Sequence, residues 1–330
     1  MDKKINNILF INTGGGIGDA LSCLPTINYI NKYFSPERFY YYSTDLQNFW
    51  FEEKLSEFKP SNLITVKNFP EHFGFRYYHK KNARGLIGNF DFNKFDLIID
   101  NQTRLKNTLI YKKIPHKNYI TPCLNFLMSK PIKLVKKSKV FATRIIDYLN
   151  KVKGINDLPN YKINIPENFL KEAKKLINYN KKYIGFSITA GHQTRKKEIR
   201  IDEIMKVANY FSKEYVPTFF IEEKYVDLKK TIKKNVKNSY FPEENVGYIY
   251  KKPMMVTALG SLTKFNITID NGISHMLSFS NNKNYIFYNN SSTKFMPLNN
   301  NSFIFDCSLK NTTIDKISNE EIINFISKNN

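Results

Sequence analysis

The sequence is short of several features that would assign a function class. Its 330 residues contain no uninterrupted apolar run of about 18 residues, so we expect no transmembrane helix. The three cysteines, Cys23, Cys123 and Cys307, are odd in number and far apart, which argues against a disulfide framework or a metal knuckle and fits a reducing compartment. Zinc-ligand spacing, a D-x-D pair and a G-x-S-x-G turn are all missing, so we expect neither a metal site nor a serine-hydrolase triad.

Acidic residues are scarce beside basic ones. The chain has 29 Asp and Glu against 51 Lys and Arg, a net charge of +22. Such a field favours an anionic partner: nucleic acid, an acidic membrane surface or a phosphorylated substrate. The chain is also rich in Asn, Ile, Phe and Tyr, as AT-rich coding produces, and its lysines look dispersed, so we interpret coding bias as the larger source of the excess. No recognised nucleic-acid motif occurs, and we expect no nucleic-acid partner.

The composition supports two cores of ordinary size. Hydrophobic residues make up 42% of the chain and aromatic residues 15%, and 330 residues exceed what one core comfortably covers. Residues 158–166 carry two prolines and little periodicity, which indicates a linker. We therefore predict a first domain over residues 1–160 and a second over 161–330, whose final helix is a candidate to pack back on the first.

Short apolar strands alternate with helices in both halves, which predicts parallel sheets covered on both faces. In the first half we predict strands at 7–13, 38–43, 63–67 and 95–100, helices at 19–34, 104–112 and 140–153, and a long loop at 73–93. In the second half we predict strands at 183–189, 217–222, 265–269, 285–288 and 303–305, and helices at 202–213, 225–234, 256–262 and 272–280. Ser318 and Glu321 form an S-x-x-E capping box that opens the last helix. Two doubly wound domains bind ligands at the carboxyl ends of their strands and would face each other across a cleft.

The turn after the first strand reads T-G-G-G-I-G-D, from residue 13 to residue 19. Asp19 stands where a dinucleotide fingerprint needs a small residue, and no Gly-Lys-Ser/Thr follows, so neither a dinucleotide site nor a P-loop is predicted. Gly15, Gly16 and Gly18 would let a ligand approach the backbone closely. Asp19 is either a helix cap or a general base that takes a proton from a hydroxyl, and the local pattern leaves both open.

A second strand-to-helix turn, I-D-N-G-I-S-H, runs from residue 269 to residue 275. The N-terminus of the following helix offers N–H groups and the positive end of the helix dipole, which suits a diphosphate. Asp270, Asn271, Gly272 and His275 are the candidate ligands here. An ordinary turn with a capping Asp and a packed His explains the pattern equally well.

Two further turns end strands of the second half. Residues 189–197, T-A-G-H-Q-T-R-K-K, contain Thr189 and finish in three cations, of which Lys197 could neutralise a leaving diphosphate. A solvated run of charge is the ordinary explanation for such a cluster. Glu222 and Glu223 follow the next strand, where a carboxylate can accept both hydroxyls of a ribose, and the pattern does not choose between them.

These turns, in this order, resemble the heptosyltransferase family, glycosyltransferase family 9. The segments that carry the resemblance are ILFINTGGGIGDALSCLPTINYINKYF, FDLIIDNQTRLKNTLI, IGFSITAGHQTRKKEIRIDEIMKVANYF and ITIDNGISHMLSFS. The last is similar to the family's Asp-Ser/Thr-Gly-x-x-His motif, with Asn271 in place of the small hydroxyl residue. Glu198 and Ile199 stand where an aromatic residue is common, and residues 289–293 replace a Gly-Pro-Thr run.

The resemblance implies a GT-B fold, with an acceptor held by the first domain and a donor by the second. It implies inverting, metal-independent transfer without a cofactor, from an ADP-heptose-type nucleotide sugar to an anionic glycolipid or glycan acceptor such as the lipopolysaccharide core. The family positions that match are Asp19 as the catalytic base and, as donor ligands, Thr189, Lys197, Glu222 or Glu223, Asp270, Gly272 and His275. Nucleotide sugars are cytoplasmic, and a lipid-linked acceptor would bring the enzyme to the inner face of the membrane.

Alternatives from other classes stay open. The chain could transfer another nucleotide sugar to a different surface glycan, which donor screening would reveal. It could also bind sugar nucleotides or nucleic acid without catalysis. A nucleic-acid protein predicts steeply salt-dependent binding and no effect of substituting Asp19.

Overall fold

The computed structural model describes residues 5–13, 16–43, 50–66, 77–133, 135–136, 138–157, 161–190, 197–289 and 294–329, with residues 77–80 described by their backbone alone. The chain divides into two compact units, Met1–Pro159 and Asn160–Asn330. Each unit is built on a parallel five-stranded sheet.

The first unit has the strand order β3-β2-β1-β4-β5. Its strands are β1 (Asn7–Asn12), β2 (Arg38–Ser43), β3 (Leu63–Thr65), β4 (Phe95–Asp100) and β5 (His116–Ile120), and its helices are α1 (Ile17–Leu21), α2 (Leu24–Phe34), α3 (Tyr77–Gly85), α4 (Leu105–Tyr111) and α5 (Arg144–Lys153). Every residue of β4 is buried, as expected of a central strand covered on both faces.

The second unit has the strand order β10-β9-β8-β6-β7. Its strands are β6 (Tyr183–Ser187), β7 (Val216–Phe219), β8 (Phe265–Ile269), β9 (Lys283–Tyr288) and β10 (Ser302–Asp306), and its helices are α6 (Glu167–Lys175), α7 (Ile201–Phe211), α8 (Val226–Asn235), α9 (Pro253–Gly260), α10 (Gly272–Ser278) and α11 (Asn319–Asn329). The predicted capping box opens α11: the Ser318 N–H donates to Glu321, and the Glu321 N–H donates to the Ser318 hydroxyl. Helix α11 packs on α7 within this unit.

Two predictions for the first unit were wrong. The helix expected over 19–34 is two helices, because Pro25 lies in the first turn of α2 and cannot continue a helix from Leu21. The long loop expected over 73–93 contains α3 and a 3-10 turn over Leu86–Asn89, held by the buried side chains of Ala83 and Leu86. Residues 73–76 of that prediction lie outside the described residues.

Two elements were missed, β5 and α6. Strand β5, H-K-N-Y-I, is an edge strand with its two C-terminal residues fully buried, so it lacks the apolar run of a central strand. Helix α6, E-N-F-L-K-E-A-K-K, buries only Phe169 and Ala173, four residues apart on one face.

Candidate functional site

The second unit brings two predicted turns together at one point of its sheet. From β6 the chain goes to β7 on one side of β6 and then returns to form β8 on the other side of β6. Strands β6 and β8 are therefore neighbours, and the connections that leave them run in opposite directions. Such a point at the carboxyl ends of parallel strands is where open α/β sheets bind ligands. Thr189 follows β6 and Asp270 follows β8, which places both at this edge.

Asn271 joins these two turns through its side chain. Its amide nitrogen donates to the Ser187 hydroxyl at 2.9 Å and to the Thr189 carbonyl at 3.0 Å. Its amide oxygen accepts the Ser274 N–H at 2.9 Å, which caps α10. The sequence predicted Asn271 as a donor ligand. In this structure its side-chain amide connects the end of β6 to the start of α10.

Lys197 and Asp270 form an ion pair at the same edge. The Lys197 ammonium donates to an Asp270 carboxylate oxygen and lies 3.5 Å from the Asp270 carbonyl oxygen. Both side chains are mostly buried, with 24% and 17% of their surface exposed. The pair fixes a cation directly before Gly272, where the first-turn N–H groups of Gly272 and Ile273 have no acceptor among the described residues.

His275 lies one turn into α10 and is 5% exposed. Burial lowers the pKa of its imidazole to about 4; the nearby Asp270 carboxylate raises it and Lys197 lowers it further. The ring is therefore neutral at physiological pH. His275 therefore adds no third charge beside the ion pair of Lys197 and Asp270.

Glu222 and Glu223 lie in the turn after β7, both exposed. Glu222 pairs with Lys224 at 2.6 Å, and Glu223 pairs with Lys251. The hydroxyl of Tyr225, which follows this turn, lies 3.4 Å from the Ala190 carbonyl oxygen. The turn therefore lies beside the segment that follows Thr189.

Glu198 was not predicted to take part in the site. Its carboxylate accepts the Ala190 N–H at 2.7 Å and so ties together the two ends of residues 191–196, which lie outside the described residues. The signal was present in the sequence, since Glu198 stands in place of the aromatic residue expected from the resemblance.

The first unit has the matching point between β1 and β4. Asp19 is the third residue of α1, and its carboxylate accepts the Gly16 N–H at 2.8 Å, so it does cap the helix. Gly16 precedes α1 with an ordinary extended backbone and Gly18 lies inside it, whereas Gly15 falls outside the described residues. An ionised carboxylate has about four acceptor positions, so the cap is compatible with a second role for Asp19.

Asp100, at the end of β4, is fully buried in the same region. Burial raises the pKa of its carboxyl to about 6, although three donors act in the opposite direction. These are the Tyr119 hydroxyl at 2.8 Å, the Gln102 N–H at 3.0 Å and the Thr108 hydroxyl at 3.0 Å. Gln102 also donates to the Thr13 carbonyl at 3.1 Å, which connects β4 to the glycine turn.

Arg144, from α5, is a second residue that was not predicted from the sequence, and it lies at the end of β4. It is buried and donates to the side-chain and main-chain oxygens of Asn101, directly after Asp100. Burial lowers the pKa of its guanidinium to about 10, so it keeps its charge at neutral pH. No motif indicated this contact, because the two residues are 43 positions apart.

No group of three or more His, Cys, Asp or Glu residues in the described ranges is arranged to hold a metal ion. Within the same ranges, no helix is long and apolar enough to cross a membrane.

Neither the protein-family models nor the curated proteins give a match to this chain. Solved structures do. A glycosyl transferase family 9 structure from Veillonella parvula DSM 2008 is 16% identical with a TM-score of 0.68, covering 99% of this chain and 98% of its own. The E. coli heptosyltransferase WaaC with ADP is 12% identical with a TM-score of 0.68, covering 98% of this chain and 99% of WaaC.

A third similar structure is E. coli ADP-heptose lps heptosyltransferase II, 12% identical with a TM-score of 0.66 and 98% of each chain covered. At such identities the likeness shows the fold. The chain has the GT-B architecture of these glycosyltransferase structures, built here from two parallel five-stranded units.

Proposed function

We propose that the protein is an inverting, metal-independent glycosyltransferase that moves heptose from ADP-heptose onto a lipopolysaccharide core or a related surface glycan. The observation that carries the proposal is the meeting of Thr189, Lys197, Asp270 and Asn271 at one point of the second sheet. Segments about 80 residues apart in the chain supply them, and the resemblance assigns Thr189, Lys197 and Asp270 to the donor. The E. coli structure of the same fold with ADP agrees with this choice.

The leaving group would be held by the second unit. Lys197 and the first N–H groups of α10 meet the diphosphate as negative charge develops on it. Asp270 holds the Lys197 ammonium at the helix start before the substrate arrives, so little reorganisation is needed. Neutral His275 leaves this field undisturbed, and Glu222 or Glu223 accepts the ribose hydroxyls.

The acceptor would be activated by the first unit. Asp19 takes the proton of an acceptor hydroxyl, and that oxygen bonds to the anomeric carbon of the donor. The bond between the anomeric carbon and the diphosphate oxygen breaks, and ADP leaves with the bonding electrons. A single displacement of this kind inverts the anomeric configuration and requires neither a metal nor a cofactor.

A second candidate is transfer of another nucleotide sugar. Its support is the amide of Asn271, which stands where the resembled motif has a small hydroxyl residue and fills the space between β6 and α10. A different residue at this position changes the donor side of the site while it leaves Asp19 and the reaction class unaltered.

The test is a transfer assay in EDTA with ADP-heptose, a deacylated core acceptor and a panel of other nucleotide sugars. We expect ADP release with formation of an inverted linkage, read by NMR of the anomeric proton. Turnover with another donor alone would establish the second candidate. Retention of configuration, or activity that depends on an added metal, would contradict the mechanism.

A further inference from the structure

Half of the net charge lies in one segment of the first unit. Residues 101–146 contain 11 Lys and Arg and no Asp or Glu, against a net charge of +22 for the whole chain. The interpretation that the lysines are dispersed is therefore wrong for this segment. Coding bias spreads lysine along a chain, but it does not remove every carboxylate from 46 consecutive residues.

The same segment exposes large aliphatic side chains. Leu105, Leu109, Leu124, Leu127 and Ile132 are between 39% and 62% exposed. Leu105 and Leu109 are four residues apart on α4 and share one face of it. Contiguous apolar side chains rimmed by polar ones mark an interaction site more often than scattered ones do.

The fold brings these side chains together. Helix α4 packs against the 3-10 turn Cys123–Phe126, and the Lys112 ammonium donates to the Met128 carbonyl at 3.0 Å. Phe126 is buried and stacks on Tyr148 with ring centroids 4.5 Å apart, which anchors the turn while its neighbours stay exposed. Tyr119 and Lys130 exchange backbone hydrogen bonds, so the chain leading to Ile132 returns to the same place.

Left-handed backbone shapes this turn. Leu124, Asn125 and Phe126 have φ values of 48°, 52° and 69°, a conformation that non-glycine residues adopt at a cost. The result is that Phe126 points inward while Leu124 and Leu127 lie on the outside. We call the five exposed aliphatic residues, together with the exposed Lys106, Lys113, Lys130 and Lys133 around them, the basic apolar surface.

We infer that the basic apolar surface docks the protein on an anionic lipid bilayer. Lysines are drawn to acidic headgroups, and exposed leucines gain free energy by entering the interface. A nucleic acid would instead call for aromatic side chains on which bases stack, and among the described residues of this segment the large exposed hydrophobic side chains are all aliphatic. Helix α4 and the turn follow β4 and β5, at the sheet edge that also carries Asp19. The link to a membrane-borne acceptor rests on the proposed function, whereas the docking itself does not.

The test is sedimentation of the full chain with vesicles of phosphatidylcholine alone and with an equimolar mixture of phosphatidylcholine and phosphatidylglycerol. We expect binding to the mixed vesicles only. The variant Lys113→Gln/Lys133→Gln should weaken it by about fivefold per lysine, and Leu124→Ser/Leu127→Ser by about fivefold per leucine for half-buried side chains. Matched controls in the second unit, Lys234→Gln/Lys237→Gln and Leu309→Ser, should bind as wild type does.

Unfolding in urea checks that each variant is folded. Equal binding to neutral vesicles, no binding to either kind, or equal losses in the controls would overturn the inference. So would variants of the basic apolar surface that lose binding to RNA and keep binding to vesicles. An ADP titration of the wild type separates the two proposals. If the protein binds mixed vesicles but not ADP, the proposed function alone is contradicted. If it binds ADP but not vesicles, the docking alone is contradicted.

Discussion

The two sheet edges share one topology but carry different groups on the turns that follow their strands. In the first unit, the turn after β1 carries the carboxylate of Asp19, and the end of β4 buries a second carboxyl, Asp100. In the second unit, a cation is paired at the start of a helix and the buried titratable group is a neutral histidine. A base is useful where a hydroxyl loses a proton, and a cation where a diphosphate leaves. The difference between the edges supports the proposed division into acceptor and donor sides.

Replacing the carboxylate of the first edge should have the largest effect. In Asp19→Asn the amide oxygen still accepts the Gly16 N–H, so the cap persists while the proton acceptor is lost. We expect kcat for sugar transfer to fall by about 10²- to 10⁴-fold, as for loss of a general base. Asp91→Asn removes an exposed carboxylate of the same unit, paired with Arg38, and should keep wild-type turnover. Turnover of Asp19→Asn within a few-fold of wild type would reduce Asp19 to a helix cap.

At the edge of the second sheet, substitution of Asn271 should lower the stability of the fold. Asn271→Ala removes the cap of α10 and the two bonds from the amide to β6, a loss of about 2–4 kcal/mol in the free energy of unfolding. Asn271→Ser can keep the cap but cannot reach β6, so its loss should be smaller. Urea unfolding measures both. Asn209→Ala is the control, because its bonds lie at an exposed site where water replaces them. Equal stability of the Ala and Ser variants would show that the cap contributes nothing, and a Ser variant as stable as wild type would show the same of the bridge to β6.

The two buried titratable groups should give opposite pH dependences. Asp100, with its pKa raised from 3.8 to about 6, keeps a proton in the folded state that the unfolded chain has lost, so its contribution falls as pH rises through that window. His275, with its pKa lowered from 6.5 to about 4, rejects a proton that the unfolded chain binds, so its contribution rises with pH.

Each slope is limited to about 1.4 kcal/mol per pH unit. In urea unfolding between pH 4 and 6.5, Asp100→Asn should make stability rise more steeply with pH than in wild type. His275→Gln should make it rise less or fall. A shift of both variants in the same direction would contradict the assignment of these buried groups.

The sequence predicted the central strands because they are continuous apolar runs. β2, β4 and β8 have the predicted bounds, whereas β5 is half polar and α6 buries two side chains, so neither has a clear period. The turns at both edges were also recognised individually. Their contacts were not, because the pairing of Lys197 with Asp270 and of Arg144 with Asn101 depends on strand order and on residues far apart in the chain. Asn271 was noticed as a departure, but its bridge to Ser187 could be seen only in three dimensions.

The most direct test of the donor assignment is calorimetric titration with ADP, UDP, GDP and CDP in EDTA, for wild type and Lys197→Ala. We predict selective binding of ADP without metal, weakened about tenfold or more in the variant, since a hydrogen bond to a charged group contributes about 1.5–3 kcal/mol. Lys230→Ala, which removes an exposed lysine of α8, should bind ADP as wild type does. Binding of none of the four nucleotides, or unchanged affinity in Lys197→Ala, would contradict a nucleotide-sugar site at the edge of the second sheet.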